Sequence, residues 1–249
     1  MRRRLPAHRV IRRMRRILEP EILDSLPADD PLAVGSRADL RRVNSLMGNS
    51  SRCETAIEHM LQGRAPKRLV ELGCGDGEFM AGIARGSPKS WCGVEVWLVD
   101  RIPAVREPTL KAFAAAGWSP RVATADVFAW LAESPRIDVC VANLFLHHFE
   151  ERQLAALLEK IAERSSALVA CEPRRSPSAL WASHALGLVG CNRVTRHDAA
   201  VSVRAGFADR ELSALWPDPA SWEMSEESSG LFSHLFTARR RSAADGSRR

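Results

Sequence analysis

The residues best suited to chemistry in this sequence form a glycine-rich segment, Glu71–Gly77, which reads ELGCGDG. The segment directly follows the short apolar run Leu69–Val70 and precedes a stretch with a helical pattern. Glycines at alternating positions let the backbone turn tightly and leave no Cβ between the backbone and a bound molecule. We therefore predict a loop at the carboxyl end of a strand, across which a cofactor can lie.

The glycine spacing and the acid that begins the loop distinguish between cofactors. A dinucleotide site usually reads G-x-G-x-x-G, so that the pyrophosphate meets a helix N-terminus, whereas this loop reads G-x-G-x-G. The carboxylate of Glu71 would repel a pyrophosphate, but it suits the ammonium of an amino-acid group, directly or through water. These features favour S-adenosylmethionine, and an NAD-binding domain is the main alternative.

Acids at the ends of the next two predicted strands fit the same cofactor. Asp100 closes the run Val94–Val99, where its carboxylate can accept hydrogen bonds from both ribose hydroxyls. Asp126 follows the run Val122–Ala125, where it can accept from an adenine amino group. The predicted cofactor site consists of residues at the ends of four strands: Glu71, Gly73, Gly75, Gly77, Asp100, Arg101, Asp126, Val127 and Asn143.

A methyl transfer to a hydroxyl group also needs a base that removes the proton. The candidate bases are His147, in the run Asn143–Phe149, and His197, which precedes Asp198. Packing near the cofactor and stabilisation of a loop are the alternative roles of these two histidines. Adjacent side chains diverge in a strand, so we do not expect Asp198 to orient His197. The run also lacks the Asn/Asp-Pro-Pro-Tyr/Phe signature of enzymes that methylate amino groups of DNA bases and glutamine.

The elements that position these residues alternate between short apolar strands and helices from Arg68 to Pro173. These strands are too apolar to have a solvent-exposed face, and they therefore predict a parallel sheet that is covered by helices on both sides. Two further runs, Ser221–Glu226 and Leu231–Arg239, are interpreted as a hairpin. The sequence therefore predicts an α/β fold with the candidate site at the carboxyl edge of the sheet.

The ordered set of the loop, Asp100, Asp126 and the run Asp138–Phe149 resembles class I S-adenosylmethionine-dependent methyltransferases over about residues 66–173. The closing strand pair resembles that family's sixth and seventh strands. The resemblance implies a Rossmann-like doubly wound sheet of about seven strands, the last one antiparallel, with an N-terminal helical cap.

A narrower resemblance concerns the acceptor. Residues 26–49 and 195–217 are similar to bacterial small-molecule methyltransferases encoded beside type III polyketide synthases. This similarity implies O-methylation of a small phenolic substrate of polyketide or quinol type. A histidine base is chemically sensible for a phenol, whose pKa is about 10. C-methylation of a quinone precursor and methylation of RNA remain alternatives.

The chain is expected to divide into a helical and a catalytic part between basic ends. The predicted segments are a disordered basic leader (1–17), an N-terminal helical cap (18–65), a methyltransferase domain (66–239) with a substrate insertion near 174–216, and a disordered basic tail (240–249).

The formal net charge of +6 comes from the two ends of the chain. Residues 1–16 hold eight arginines and no acid, and residues 239–249 hold five arginines and one acid, so 23 basic and 29 acidic residues remain between them. Because this body has a net charge of −6, nucleic acid is not expected as a partner.

The remaining composition predicts a cytoplasmic enzyme that acts on a small, aromatic molecule. No run approaches the roughly 18 apolar residues of a membrane span, and no secretion signal follows the arginines. The six cysteines include no C-x-x-C pair, and no carboxylate cluster identifies a catalytic Mg²⁺, so no metal site is predicted. The oligomeric state is left open.

Overall fold

The computed structural model describes residues 14–241, which are built around one seven-stranded sheet. Its strands are β1 (Arg68–Leu72), β2 (Glu95–Asp100), β3 (Ser119–Thr124), β4 (Val139–Asn143), β5 (Ala167–Pro173), β6 (Trp222–Ser229) and β7 (Ser233–Arg240). Their order is β3-β2-β1-β4-β5-β7-β6, and β7 runs antiparallel to both of its neighbours. The predicted doubly wound sheet with an antiparallel last strand is confirmed.

Helices cover both faces of this sheet. They are α1 (Pro31–Met47), α2 (Asn49–Leu61), α3 (Glu78–Gly86), α4 (Glu107–Ala115), α5 (Val127–Glu133), α6 (Glu151–Arg164), α7 (Pro177–Ala185), α8 (Arg193–Ala205) and α9 (Glu211–Leu215). One hydrophobic core contains residues of α2, α3 and α4, and the other contains residues of α5, α6 and α9. α8 packs against α1 and α7 and also contacts β5.

The apolar pattern of the sequence explains this frame. Every residue of β4 and β5 is buried, as expected for central parallel strands between two helical layers. In α6 the residues Leu154, Leu157, Leu158 and Ile161 recur at helical spacing and are fully buried. Each such side chain contributes about 1.5–3 kcal/mol by its removal from water. The carboxyl ends of the central strands are thus held in fixed positions.

The fourth strand ends inside the longer apolar run Val139–Leu146. β4 stops at Asn143, Leu144 adopts a φ of 53°, and a 3-10 turn follows at Leu146–His148. The carboxylate of Glu172 accepts hydrogen bonds from the backbone N–H groups of Phe145 (3.1 Å) and Leu146 (2.8 Å). These bonds take the place of backbone hydrogen bonds to a neighbouring strand. The resulting turn places His147 and His148 next to each other.

The late segment that begins at Asn192 is a helix, α8, whose first turn is capped by the Asn192 side chain through the N–H of Thr195 (2.9 Å). The expectation that His197 and Asp198 diverge as in a strand is wrong. In this helix Nδ1 of His197 lies 2.9 Å from Oδ1 of Asp198.

The N-terminal segment, residues 14–30, lies against α8 and the turn after β4. The N–H of Ile17 donates to the carbonyl of Arg204 (3.1 Å), and Arg16 donates to the carbonyls of Ala205 (2.7 Å) and His147 (3.1 Å). Residues 14–17 of the predicted leader therefore contact the domain. Residues 1–13 of that leader and residues 242–249 of the predicted tail lie outside the described residues.

The membrane prediction concerns helix length and apolarity. Within residues 14–241, no helix is both long and apolar enough to cross a bilayer.

Candidate active site

The glycine-rich loop lies between β1 and α3, as predicted. Gly75 has a φ of 54°, and a Cβ at this position would point into open space. A Cβ on Gly73, whose φ is 69°, would lie 2.1 Å from Cδ2 of Phe145. Gly77 precedes α3, where a Cβ would come within 3.1 Å of Leu98. The loop is therefore closely packed at Gly73 and Gly77 and open at Gly75.

Asp100 closes β2 beside this loop. Its Oδ2 accepts the N–H of Gly75 at 2.8 Å, and its Oδ1 accepts the N–H of Ile102 at 2.8 Å. Each carboxylate oxygen can accept a second hydrogen bond, so Asp100 can hold the loop and still bind two hydroxyl groups.

Glu71 lies in β1 under the loop and is almost completely buried. Its Oε2 has no hydrogen-bond partner among the described residues. Burial, followed by the nearby carboxylates of Asp76 and Asp100, raises the pKa of Glu71 well above its usual value. A buried carboxyl oxygen without a partner is costly, and a ligand cation placed here would satisfy it.

Asn143 provides a second unsatisfied polar group at the same edge. It follows Ala142, which is paired with Leu72 of β1, so Asn143 ends its strand beside the loop. The side chain is buried, and its Oδ1 has no hydrogen-bond partner among the described residues. Glu71 and Asn143 thus both present unpaired oxygens near the glycines.

The other three predicted cofactor residues show no contact with the glycine-rich loop among the described hydrogen bonds. Asp126 is exposed and caps α5, since its Oδ1 accepts from the N–H groups of Phe128 (2.9 Å) and Ala129 (3.2 Å). Its Oδ2 takes no part in the cap. The side chain of Val127 is buried in the core, so only its backbone could face a ligand. Arg101 is exposed immediately after Asp100.

His147 is held rigidly in the turn after β4. Its side chain is 2% exposed, and its Nδ1 lies 2.7 Å from Oε2 of Glu172, which is fully buried at the end of β5. Glu172 was not predicted as a site residue. The available signal was an acid at the end of an otherwise apolar strand.

Glu21 of the N-terminal segment completes a partly buried cluster with His147 and His148. One oxygen of Glu21 lies 3.2 Å from Nε2 of His147, and the other lies 3.5 Å from Nε2 of His148. Burial opposes ionisation of Glu21, but its contacts with the two histidines outweigh burial and hold the pKa of Glu21 far below its usual range. Burial also opposes a charge on His148, but Glu21 and Asp24 raise its pKa to about 9. No sequence pattern indicates Glu21, which lies 126 residues before His147.

The second predicted base, His197, lies elsewhere. Its side chain is 49% exposed on α8. The carboxylate of its neighbour Asp198 accepts the N–H groups of Ile22 and Leu23, both at 2.9 Å, so Asp198 fastens the N-terminal segment to α8. His147 lies in the turn whose Phe145 packs against Gly73 of the loop, whereas His197 is half exposed on α8.

The sequence of residues 47–235 matches the profile of a protein family described as "Methyltransferase domain". The chain belongs to this family. The methyltransferase is therefore an enzyme whose family uses S-adenosylmethionine, and the predicted cofactor is confirmed.

Solved structures share the fold of this methyltransferase. The plantazolicin methyltransferase BpumL, in complex with a monoazolic desmethylPZN analog and SAH, has a TM-score of 0.64 and 12% identity over 85% of this chain and 91% of that chain. An O-methyltransferase family protein from Burkholderia thailandensis has a TM-score of 0.56 and 18% identity, over 88% and 64%. Magnesium protoporphyrin IX methyltransferase from Synechocystis PCC 6803 has a TM-score of 0.51 and 12% identity, over 78% and 84%.

These identities show a common fold and nothing about the acceptor. None of the curated protein sequences matches this methyltransferase.

The residues at the carboxyl edge fit S-adenosylmethionine. The unpaired Oε2 of Glu71 can accept from the ammonium group, and the open space above Gly75 leaves room for a ligand. Asp100 keeps free accepting capacity for the ribose. The acidic surroundings that raise the pKa of Glu71 also favour a ligand that carries positive charge.

Proposed function

We propose that this methyltransferase methylates a hydroxyl group of a small phenolic substrate, of polyketide or quinol type. The observation that carries the proposal is the position of His147. It is a buried histidine, oriented by the buried carboxylate of Glu172, in the turn whose Phe145 contacts Gly73 of the loop.

The cofactor contacts follow from the loop. We assign the amino-acid end to Glu71 and Asn143, the close backbone approach to Gly73, Gly75 and Gly77, and the ribose to Asp100. We assign the adenine side to Arg101, Asp126 and the backbone of Val127. Asp126 has one carboxylate oxygen that takes no part in its helix cap. S-adenosylmethionine supplies a methyl group that is bound to a positively charged sulfur. The acceptor oxygen attacks the methyl carbon, and the sulfur leaves with the electron pair of the broken C–S bond.

Removal of the acceptor proton is assigned to the cluster around His147. The carboxylate of Glu172 accepts a hydrogen bond from Nδ1–H, so Nε2 is the nitrogen left to take a proton, and it lies 3.2 Å from Oε1 of Glu21. Access to Nε2 requires the N-terminal segment to move or to take part in the reaction. His197 is the weaker candidate because it is half exposed and bound to Asp198.

A phenolic acceptor is favoured by the acidity of phenols and by the description of one structural neighbour. The pKa of a phenol is about 10, so a neighbouring imidazole can assist its ionisation near neutral pH. The Burkholderia thailandensis neighbour carries the description O-methyltransferase family protein, which agrees with transfer to oxygen.

The test is an acceptor screen with methyl-labelled S-adenosylmethionine. The acceptors would be an alkylresorcinol, a simple quinol, the same resorcinol with both hydroxyls already methylated, and total RNA. We expect label in the first two, and NMR of the products would identify a methoxy group. A methyl group on ring carbon would show C-methylation, and label only in RNA would contradict the proposal.

A further inference from the structure

We propose that Glu21, His147 and His148 form a binding site for a divalent transition metal of zinc type. One nitrogen of each histidine and the carboxylate of Glu21 converge around the buried ring of His147, and these ligand atoms all lie within 4.8 Å of one another. The site joins the N-terminal segment to the turn after β4.

The spacing of the ligand atoms suits a small tetrahedral ion. With zinc bonds of about 2.0–2.1 Å, neighbouring ligand atoms of a tetrahedron are about 3.3 Å apart. Oε1 of Glu21 lies 3.2 Å from Nε2 of His147, and Oε2 lies 3.5 Å from Nε2 of His148. Oδ2 of Asp24 lies 3.6 Å from the same nitrogen of His148, outside the group of three ligand residues, so a tetrahedral ion would keep one position open.

The Nδ1 atom of each imidazole ring, on the side away from Glu21, already has a hydrogen-bond partner. Nδ1 of His147 faces the carboxylate of Glu172 at 2.7 Å, and Nδ1 of His148 faces the carbonyl of Phe145 at 2.9 Å. Both partners accept hydrogen bonds, so each Nδ1 is the nitrogen that carries the proton. Metal-binding histidines almost always have this second hydrogen bond to a carboxylate or a backbone carbonyl, which directs the lone pair of Nε2 at the metal.

The Nε2 atoms of the two rings, which face the carboxylate of Glu21, need a positive charge between them and that carboxylate. With Nδ1 protonated, each neutral imidazole presents the lone pair of Nε2 to carboxylate oxygens that also only accept. Nε2 of His148 has no hydrogen-bond partner among the described residues. Either two additional protons or one divalent cation can satisfy this arrangement, and the cation does so with one ligand atom from each of the three residues, all within 4.8 Å of one another.

The ligand types indicate the metal. Two imidazoles with one or two carboxylates suit zinc and similar transition metals, whereas Mg²⁺ and Ca²⁺ prefer all-oxygen sites. The sequence did not predict this site because Glu21 is far from the histidines along the chain and lies in no recognisable metal motif.

A metal here would affect the proposed reaction in one respect, which rests on the proposed function. With Nε2 of His147 bound to the ion, an acceptor hydroxyl in the open coordination position would lose its proton to solvent water, because the ion lowers the pKa of the hydroxyl group. His147 would then position the metal and would not act as a free base.

The test is zinc binding by the full chain without a histidine tag, after treatment with a chelator. We expect one equivalent of Zn²⁺ to bind in calorimetric titration, and Co²⁺ to give the visible absorption of a four-coordinate site. Glu21→Gln and His148→Ala should each weaken Zn²⁺ binding by at least tenfold. His59→Ala, which removes an exposed histidine on α2, is the matched control and should bind like the wild type.

Binding of S-adenosylhomocysteine is measured on the same samples, so that loss of folding and failure of the cofactor assignment are separated from failure of the metal site. Absence of a Zn²⁺ equivalent in the wild type would overturn the proposal. Equal Zn²⁺ affinity in wild type, Glu21→Gln and His148→Ala would also overturn it, since the ion would then bind elsewhere. In both cases the cluster would hold protons in place of a metal.

Discussion

Nδ1 of His147 lies 2.7 Å from Oε2 of Glu172, and both side chains are almost completely removed from solvent. The same carboxylate accepts two backbone N–H groups of the turn that carries His147. One side chain thus shapes the turn and orients the ring within it.

Glu172→Gln should separate these two roles. The amide oxygen can still accept from the backbone, but the amide N–H would donate to Nδ1 and move the imidazole proton to Nε2. We expect kcat to fall by roughly 10- to 100-fold, as for other residues that orient a reactive histidine or metal ligand, with little change in cofactor affinity. Steady-state kinetics and calorimetry measure the two effects. An unchanged kcat would show that the orientation of His147 is irrelevant to turnover.

Glu71 should release a proton when the cofactor binds. Burial and the nearby carboxylates raise its pKa in the free protein, and a ligand ammonium group lowers it again. Affinity for S-adenosylhomocysteine should therefore increase as pH rises toward the pKa of Glu71 in the free protein. Calorimetry in two buffers of different ionisation enthalpy measures the released proton.

Glu71→Gln should abolish this proton release and weaken binding by roughly 10- to 100-fold, the value of a charged hydrogen bond. The surface variant Glu133→Gln is the control and should behave like the wild type. Equal proton release in Glu71→Gln and the wild type would assign the proton to another group.

His197→Ala should retain turnover within about threefold, since exposed side chains away from a site have small effects. His197 is half exposed and bound to Asp198, whose carboxylate still binds the N-terminal segment in the variant. The comparison is kcat for His197→Ala and for His147→Gln under the same conditions. If His197→Ala loses turnover while it keeps cofactor affinity, the base is His197.

Removal of residues 1–13 and 242–249 should leave small-molecule methylation unchanged. Within the described fold, Arg16 is bound to backbone carbonyls, and Arg240 donates to the carbonyl of Ala162 and lies over the ring of Trp222. These arginines stabilise the domain itself. Activity that depended on the removed residues would favour the RNA alternative.

Buried Glu226 should contribute to stability in a pH-dependent way. Burial opposes its ionisation, but hydrogen bonds from His234, Ser213 and the N–H of Leu212 outweigh burial and lower its pKa. This contribution is present above the pKa of glutamate in the unfolded chain and is lost as pH falls through the lowered pKa. Glu226→Gln should cost about 1–3 kcal/mol near neutral pH and less in acid. Urea unfolding at several pH values measures this, and an equal cost at every pH would contradict it.

The sequence was most informative where one residue type has one physical use. Apolar strands such as β4 and β5 follow from hydrophobic runs, and Gly73 and Gly75 follow from a loop that needs positive φ. The position of Asp100 beside the loop is predictable because it depends only on the end of the next strand, and its carboxylate accepts the N–H of Gly75.

The sequence was least informative about groups brought together by tertiary structure. Glu172 and Glu21 approach His147 from a different strand and from the N-terminal segment, and no local pattern marks either contact. The pairing of His197 with Asp198 was missed because the segment was not recognised as a helix. The end of β4 at Asn143 depends on Glu172 and could not be derived from the apolar run alone.

The central claim, that the loop from Glu71 to Gly77 binds S-adenosylmethionine, is tested most directly by calorimetric titration with S-adenosylhomocysteine and, separately, with NAD. Wild type should bind S-adenosylhomocysteine with a Kd on the order of micromolar and should not bind NAD. Gly75→Val, whose side chain enters the open space above the loop, should weaken this binding by more than about tenfold, or 1.4 kcal/mol. Binding of NAD alone, or equal affinity of Gly75→Val and wild type for S-adenosylhomocysteine, would contradict the account.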